Sequence, residues 1–544
     1  MPEPAGAGAV ATAPASAWAP LRRPLFRSLW IATVFSSIGT WMHEVGAGWL
    51  MTSLAPTPLM VALVQAATSL PVVLLALPAG ALADILDRRR YLLGAQLWML
   101  AVAALLGILT VAGVTNAWVL LACTFALGIG AALMMPGWGA TLPELVPRAE
   151  LQSAVALNSM GMNVSRAIGP ALAGLIVAAS GPGVVFLLNA ASFLSVIGVL
   201  YLWRRQPRDS TLPAERFFGA LRAGLRYARH APALQAVLIR GGAFFLFASA
   251  SWALLPLVAR QELGGGPQSY GLLMGCIGAG AVGGALLLPR LRARLSRDRL
   301  VAAATVLYAA AMLGLAYVRN LPLLSVAMLC SGAAWLSVLS SLQVAAQMAL
   351  PGWVRARGLA VFMTVFMGGM AGGSILWGNV ANAAGIPLTL TIAAAGALLG
   401  LAFTRLFPIG VHDDIDLAPS MHWPAPVVAA EPEPDRGPVM VTIEYRIDPG
   451  RIREFSRAMQ EIGRMRRRGG AFYWGMFTDA ADPGRVVECF MDESWLEHLR
   501  HHQRVTMADR AIESRIREFH LGEQPPVVSH LLASPPPRPE RVGG

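Results

Sequence analysis

The sequence predicts an all-α membrane protein of twelve transmembrane helices in two repeats of six, with a small α+β domain at its C-terminal end. Three observations predict it. The 544 residues are 55% hydrophobic and only 14% charged, with a mean hydropathy of +0.55, outside the range of soluble globular proteins. Apolar runs of about 20 residues, the length that crosses a hydrocarbon core, recur twelve times. Beyond Val439 the pattern changes to alternating β-branched strands and charged amphipathic helices.

In chain order, residues 1–27 are rich in Ala and Pro and are expected to form a disordered tail. They do not resemble a signal peptide, because the first apolar run is long and leads into eleven more. Spans near 29–53, 59–83, 91–112, 117–138, 153–179 and 183–203 make a first bundle, 28–203. The polar stretch 204–233 reads as a cytoplasmic linker. Spans near 234–258, 269–289, 300–318, 322–348, 358–383 and 386–407 make a second bundle, 234–407. Residues 408–437, rich in Pro, Ala and Asp, read as a second linker, 438–535 as a soluble domain and 536–544 as a tail.

The formal net charge is +12, and all 43 basic residues are arginines. They alternate with the apolar runs, a topology signal that argues against a nucleic-acid face. Alternate connections and the segment before the first span hold twenty-one arginines; the other connections hold only Arg260 and Arg319. That bias puts both termini and the 204–233 linker in the cytoplasm and supports the count of twelve. The four cysteines show no CxxC pairing, so neither a disulfide framework nor a zinc site is indicated. Absence of Lys with abundant Ala, Gly and Arg suggests a GC-rich bacterium, and hence the bacterial inner membrane.

The halves look like repeats. Residues 142–174 and 348–378 both run from a short turn bearing Pro and Arg into a Gly-rich helix, as in transporters built from parallel repeats of six helices. The connection from Gly80 to Arg90, GALADILDRRR, resembles the cytoplasmic signature of the major facilitator superfamily in Gly80, Asp84 and the basic run Arg88, Arg89 and Arg90. It departs at Ile85, where a base is usual, and at Asp87, where Gly is usual; the second-half counterpart has Leu288 in place of the acid. Gly169, Pro170 and Gly174 are similar to the Gly-Pro motif of that superfamily's antiporters. The wider text, GTWMHEVGAGWLMTSL and VSRAIGP, resembles the branch of enterobactin exporters and transmembrane secretion effectors over roughly residues 20–410.

The resemblance implies a secondary active transporter that exports small molecules, of the siderophore or amphipathic-drug class, by proton antiport with alternating access. It implies that Asp84 pairs with Arg cations and the positive end of the eleventh helix, whose start carries Arg355 and Arg357, locking the cytoplasmic side. A solvated turn that merely follows the positive-inside bias is the alternative, as plain helix packing is for the Gly-Pro motif.

Among the spans, Glu44 is the sole carboxylate away from a helix end, and Arg166 is comparably isolated. Ionisable groups at such depth are functional candidates. Glu44 lies about 22 Å along the first helix and Arg166 about 20 Å along the fifth, so the two are expected at similar depth. Glu44 is read as the proton-coupling acid and Arg166 as its counter-charge or an anchor for an anionic substrate. Trp41, His43, Asn158 and Asn163 complete the expected polar cluster. A static ion pair between the two helices is the alternative. Arg240, about 9 Å into its helix, is expected to snorkel to the surface.

In the tail, VMVTIEYRI, AFYWGMFTD, RVVECFMDES and PPVVSHLLA read as strands, with a helix from Gly450 to Arg468 and one long helix from Trp495 to about His520. The order β-α-β-β-α-β is ferredoxin-like and resembles dimeric α/β-barrel domains related to antibiotic-biosynthesis monooxygenases. That likeness implies a homodimer through this domain. His498, His501 and His502 share one side of a helix, yet no further ligand is evident. Neither metal, cofactor nor catalysis is expected there, and a regulatory or dimerising role is preferred. Import by the same fold, or a membrane-anchored enzyme or sensor acting through the tail, are the competing functions. No GxxxxGK[ST] run is present, which argues against an ATP-driven pump.

Overall fold

The computed structural model describes residues 18–203, 217–409 and 416–534. The expectations for residues 1–17 and 535–544, and the side chains of Gly80, Asp84 and Arg148, lie outside the described portion. Contacts divide the chain into two compact units. The first holds Met1–Pro213, Arg240–Ser341 and Met363–Leu406; the second holds Ala214–Ile239, Leu342–Phe362 and Phe407–Gly544.

The first unit is a helical bundle. Its first six helices are α1 (Pro24–Leu54), α2 (Pro58–Ile85), α3 (Arg88–Val111), α4 (Ala117–Leu145), α5 (Leu151–Ser180) and α6 (Pro182–Leu202). After α7 (Phe217–His230) come α8 (Pro232–Leu257), α9 (Pro267–Arg294), α10 (Arg297–Tyr317), α11 (Leu321–Met348), α12 (Arg355–Ala384), α13 (Ile386–Leu399) and a last turn, α14 (Phe403–Leu406). Among the described residues, eleven helices are long and apolar enough to cross a membrane. The first of the twelve expected spans is α1, whose 31 residues suffice in length but whose apolar run is broken by His43, Glu44 and several Ser and Thr residues. Helix α1 also starts at Pro24, inside the expected tail, because Pro at the first helical position is pre-set for helix and lacks only an N–H that would go unpaired.

Side-chain caps start several helices. Asp87, the residue that departs from the resembled motif, accepts from the Arg90 N–H at the head of α3, and Asn116 and Ser296 cap α4 and α10. Close helix contacts rest on small residues. Helix α5 packs on α1 on one side and on α9 on the other. The second half has an aromatic core around Trp335, whose ring lies 5.3 Å from that of Trp252 and 5.7 Å from that of Phe245.

The second unit corrects three expectations. The linker stretch carries the amphipathic helix α7, which buries Ala223, Tyr227 and Ala228; the Tyr227 hydroxyl donates to the Ala349 carbonyl at 3.0 Å. Its apolar stripe at helical spacing requires a partner surface, which α15 supplies. The tail itself runs β1 (Val439–Arg446), α15 (Ile452–Gly469), β2 (Tyr473–Thr478), β3 (Arg485–Asp492), α16 (Trp495–Arg504), α17 (Met507–Arg517) and β4 (Val527–Leu532). The four strands form an antiparallel sheet in the order β2-β3-β1-β4. The single helix expected from Trp495 to about His520 is two: Thr506 and Asp509 form a capping box that starts a new helix. The segment after residue 416 is no free linker either, since the Ser420 N–H donates to the Val505 carbonyl and Trp423 packs into the domain.

Candidate functional site

Within the bundle, Glu44 faces a cavity of about 40 Å³ bounded by both halves. Helices α1, α2 and α4 contribute His43, Glu44, Gln65, Thr68 and Thr124; α8 and α9 contribute Trp252, Pro256, Tyr270 and Met274. Sequence reasoning found Glu44 and His43 but missed Gln65, Thr68, Trp252 and Tyr270. The one signal available for them was polar or aromatic character inside apolar runs, shared with many packing residues.

Glu44 and Arg166 lie within electrostatic range of each other, but no ion pair within 4.0 Å joins them. The Arg166 guanidinium instead lies 5.0 Å over the Trp41 ring, and its buried Nε has no hydrogen-bond partner. His43 is buried against Phe186 at 4.6 Å, with both ring nitrogens unpartnered. The amides do not join this group. Asn163 donates to the Ser159 carbonyl of its own helix at 2.9 Å, and neither it nor Asn158 lines the cavity.

The Gly-Pro stretch of α5 is a two-sided contact. A Cβ at Gly169 would sit 2.7 Å from the Trp41 Cβ on α1, and one at Gly174 would sit 2.8 Å from the Pro267 carbonyl oxygen at the head of α9. Gly271 on α9 approaches the Pro170 carbonyl equally closely, at 2.6 Å for an added Cβ. This crossing seals the bundle at its Arg-poor end. Arg260 adds to the seal by donating to the Thr52 and Ser53 hydroxyls at 2.8 and 2.5 Å, with its guanidinium over Trp49.

Of the basic residues beside the Gly80–Arg90 connection, Arg89 donates to the carbonyls of Leu200 and Tyr201 at the end of α6, where a cation meets the negative end of a helix. Arg90 and Arg355 are exposed and Arg88 is half-buried. Arg357, in the second unit, packs against Gly224 of α7. Arg240 does not snorkel: its side chain is 5% exposed and pairs with Asp298 in the first turn of α10. An acid at that position offers a nearer partner than water.

The tail holds a larger cavity of about 390 Å³, lined by Trp423, Tyr445, Phe490, Arg466, Glu513, Arg517, His498, His502 and His530 among others. Arg466 is 2% exposed and bonds Glu488 at 2.9 Å and Glu513 at 2.8 Å. Trp423 and Trp474 donate indole N–H groups to these carboxylates. Burial opposes ionisation of Glu513, but the Arg466 charge and the bonds from His422 and Trp423 overcome it and pull the carboxyl down to about 2. Beside this network, Asp492 sits between His498 and His501, at 2.9 and 3.1 Å from their Nδ1 atoms. Burial alone would raise Asp492; the two imidazoles hold it well below the usual carboxylate range. Burial first, and then the imidazoles of His498, His501 and His530, push His502 down to about 3. The histidines singled out on α16 are thus split: His498 and His501 both meet Asp492, and His498 and His502 lie beside His530 on β4.

A family model described as "Transmembrane secretion effector" matches residues 15–537. The chain is 28% identical over 275 residues to the uncharacterized MFS-type transporter YfiS of Bacillus subtilis, covering 48% of this chain and 64% of that one. It is 24% identical to the staphyloferrin A transporter of Staphylococcus aureus, covering 52% and 70%, and 27% identical to the multidrug efflux pump Tap of Mycolicibacterium fortuitum, covering 70% and 95%. The match thus spans a little under two thirds of the length of the first of these relatives. In solved structures the chain resembles a POT family transporter with a TM-score of 0.60 at 12% identity, covering 70% and 95%. It also resembles a bacterial homolog of the human lysosomal transporter Spinster, with a TM-score of 0.58 at 14% identity, covering 72% and 98%. At those identities the likeness is one of fold.

Proposed function

From the premise that the chain belongs to the transmembrane secretion effector family of major facilitator transporters, we propose that it exports small molecules by proton antiport with alternating access. The observation that carries this reading is the Glu44 carboxyl, which faces a cavity lined from both halves of the bundle and, among the described residues, has no cation within ion-pair distance. A carboxyl so placed is neutral when protonated and costly when charged, so its proton can be exchanged for cargo as access alternates. Arg166, held over Trp41, keeps a positive charge at similar depth in the bundle. The wall of Trp252, Tyr270 and Met274 suits an apolar or aromatic cargo body. Siderophores and amphipathic drugs are the cargo class, in keeping with relatives named for staphyloferrin A, macrolide and multidrug transport.

On this reading α1 is the twelfth span, both termini are cytoplasmic, and the Arg-rich end faces the cytoplasm of a bacterial inner membrane. The Gly169–Gly174 contact then closes the outer side, and the Gly80–Arg90 connection locks the inner side in the alternate state. The tail is a ferredoxin-like domain with a regulatory role, and its open sheet face, with Phe477, Val527 and Leu531 exposed, is where two copies would pair. The test is efflux from cells overexpressing the chain, with a panel of fluorescent drugs and siderophores, with and without a protonophore. Protonophore-sensitive efflux lost in Glu44→Gln is expected; uptake in place of efflux would reverse the direction, and efflux that ignores the protonophore would remove proton coupling.

A further inference from the structure

We propose that His498, His502 and His530 form a binding site for a divalent transition metal of the zinc class in the C-terminal domain. One ring nitrogen of each lies within 4.8 Å of the others. The Nε2 atoms of His498 and His502 are 3.2 Å apart, close to the ~3.3 Å that separates two imidazole nitrogens bound at about 2.0–2.1 Å to one tetrahedral ion. The pair stands at i and i+4 on α16, so both rings leave the same helix face. His530 comes from β4, paired with Val441 of β1, and its ring lies 5.0 Å from that of His498. The His530 side chain is half-buried, and its ring must turn toward the pair for all three to bind one ion.

The supporting residues match what a ligand imidazole needs. The Asp492 carboxyl lies at hydrogen-bond distance, 2.9 Å, from the His498 Nδ1, so the Nδ1–H tautomer is the one this geometry supports. That fixes the tautomer and leaves the Nε2 lone pair turned toward His502, the carboxylate–histidine arrangement that orients metal ligands. Three imidazoles without a carboxylate among the ligands favour Zn²⁺, Co²⁺ or Ni²⁺ over Mg²⁺ or Ca²⁺. The fourth position opens to the 390 Å³ cavity that all three histidines line. Three protein ligands and one open position are the pattern of exchangeable rather than purely structural sites; the open position takes water or an oxygen donor of a molecule held beside Trp423 and Arg466.

The test uses the full chain in detergent, purified on a tag free of histidine, stripped of metal and titrated with Co²⁺. One equivalent of Co²⁺ with the intense visible bands of tetrahedral coordination, displaced by Zn²⁺, is expected. His502→Ala and His530→Gln, both at half-buried positions, should each weaken binding at least about tenfold. Asp492→Asn should weaken it by about 10- to 100-fold, whereas His520→Gln should leave it unchanged. No retained Co²⁺, or a spectrum and stoichiometry that survive in His502→Ala and His530→Gln alike, would overturn the site.

Discussion

Glu44 and Glu513 are two partly hidden carboxyls with opposite surroundings, and their surroundings set different tests. Glu44 has a distant cation and a cavity, so its charge can change with little rearrangement. In Glu44→Gln the amide keeps the size and loses the proton, and protonophore-sensitive flux should fall at least about tenfold while cargo binding persists; a proteoliposome assay separates the two. Glu513 is clamped by Arg466, His422 and Trp423. Its folded pKa, about 2, lies below the ordinary 4.5, so its ion pair stabilises the domain fully above pH 4.5 and progressively less as pH falls toward 2. The contribution is about 3 kcal/mol by linkage. Hydrogen exchange of the 439–532 segment, corrected for intrinsic rates, should show protection lost across that window, and Glu513→Gln should flatten the dependence. That change would leave Arg466 with Glu488 as its remaining carboxylate partner, so lower protection at neutral pH is part of the same expectation.

Between elements, the α5–α9 crossing is sensitive to a single atom. Gly174 and Gly271 bring two backbones together where any Cβ meets a carbonyl or an α-carbon. Such a seam is stable only while closed, and a side chain there favours the state in which it is parted. Gly271→Val should therefore raise the exposure of the Arg-poor end. A cysteine replacing the buried Val61 at the cavity wall, in a chain without native cysteines, should react several-fold faster with an impermeant maleimide when Gly271 is Val. Equal rates would mean that the crossing does not gate the cavity. In the tail, the break between α16 and α17 has a comparably local cause. The Thr506–Asp509 capping box satisfies the first N–H groups of α17, and it turns α17 so that Glu513 reaches Arg466.

At the scale of the molecule, the tail does not hang from a free tether. Within the second unit, Arg468 lies over Tyr227 of α7, Arg504 lies over Trp353, and Arg222 pairs with Glu493 at 3.7 Å. The domain thus grips the helix that links the two six-helix halves and the turn before α12. On the proposed reading, a device so placed acts on rate rather than on cargo choice, because the Glu44 cavity draws no residue from it among the described residues. A chain ending at Phe407 should export the same panel members with an altered initial rate. A changed set of cargoes would assign recognition to the tail and overturn its regulatory role.

The apolar runs, the alternation of Arg, the Gly-rich helices within 142–174 and 348–378 and the positions of the four tail strands follow from the sequence itself, because each depends on residues close together in the chain: 20-residue apolar runs, charge at their ends, alternation of period two. The same locality picked out Glu44, Arg166, Trp41 and His43 as unusual in their own helices. What required the tertiary structure was every relation across distant segments. Arg166 over Trp41, Arg240 with Asp298, Trp423 of the apparent linker on Glu513, and His530 beside His498 and His502 join residues separated by long stretches of chain. Their energies come from burial and charge pairing that no local pattern encodes. The cavity residues Gln65, Thr68, Trp252 and Tyr270 stayed illegible for that reason, since a polar or aromatic side chain in a span reads alike whether it faces a neighbour helix or a space.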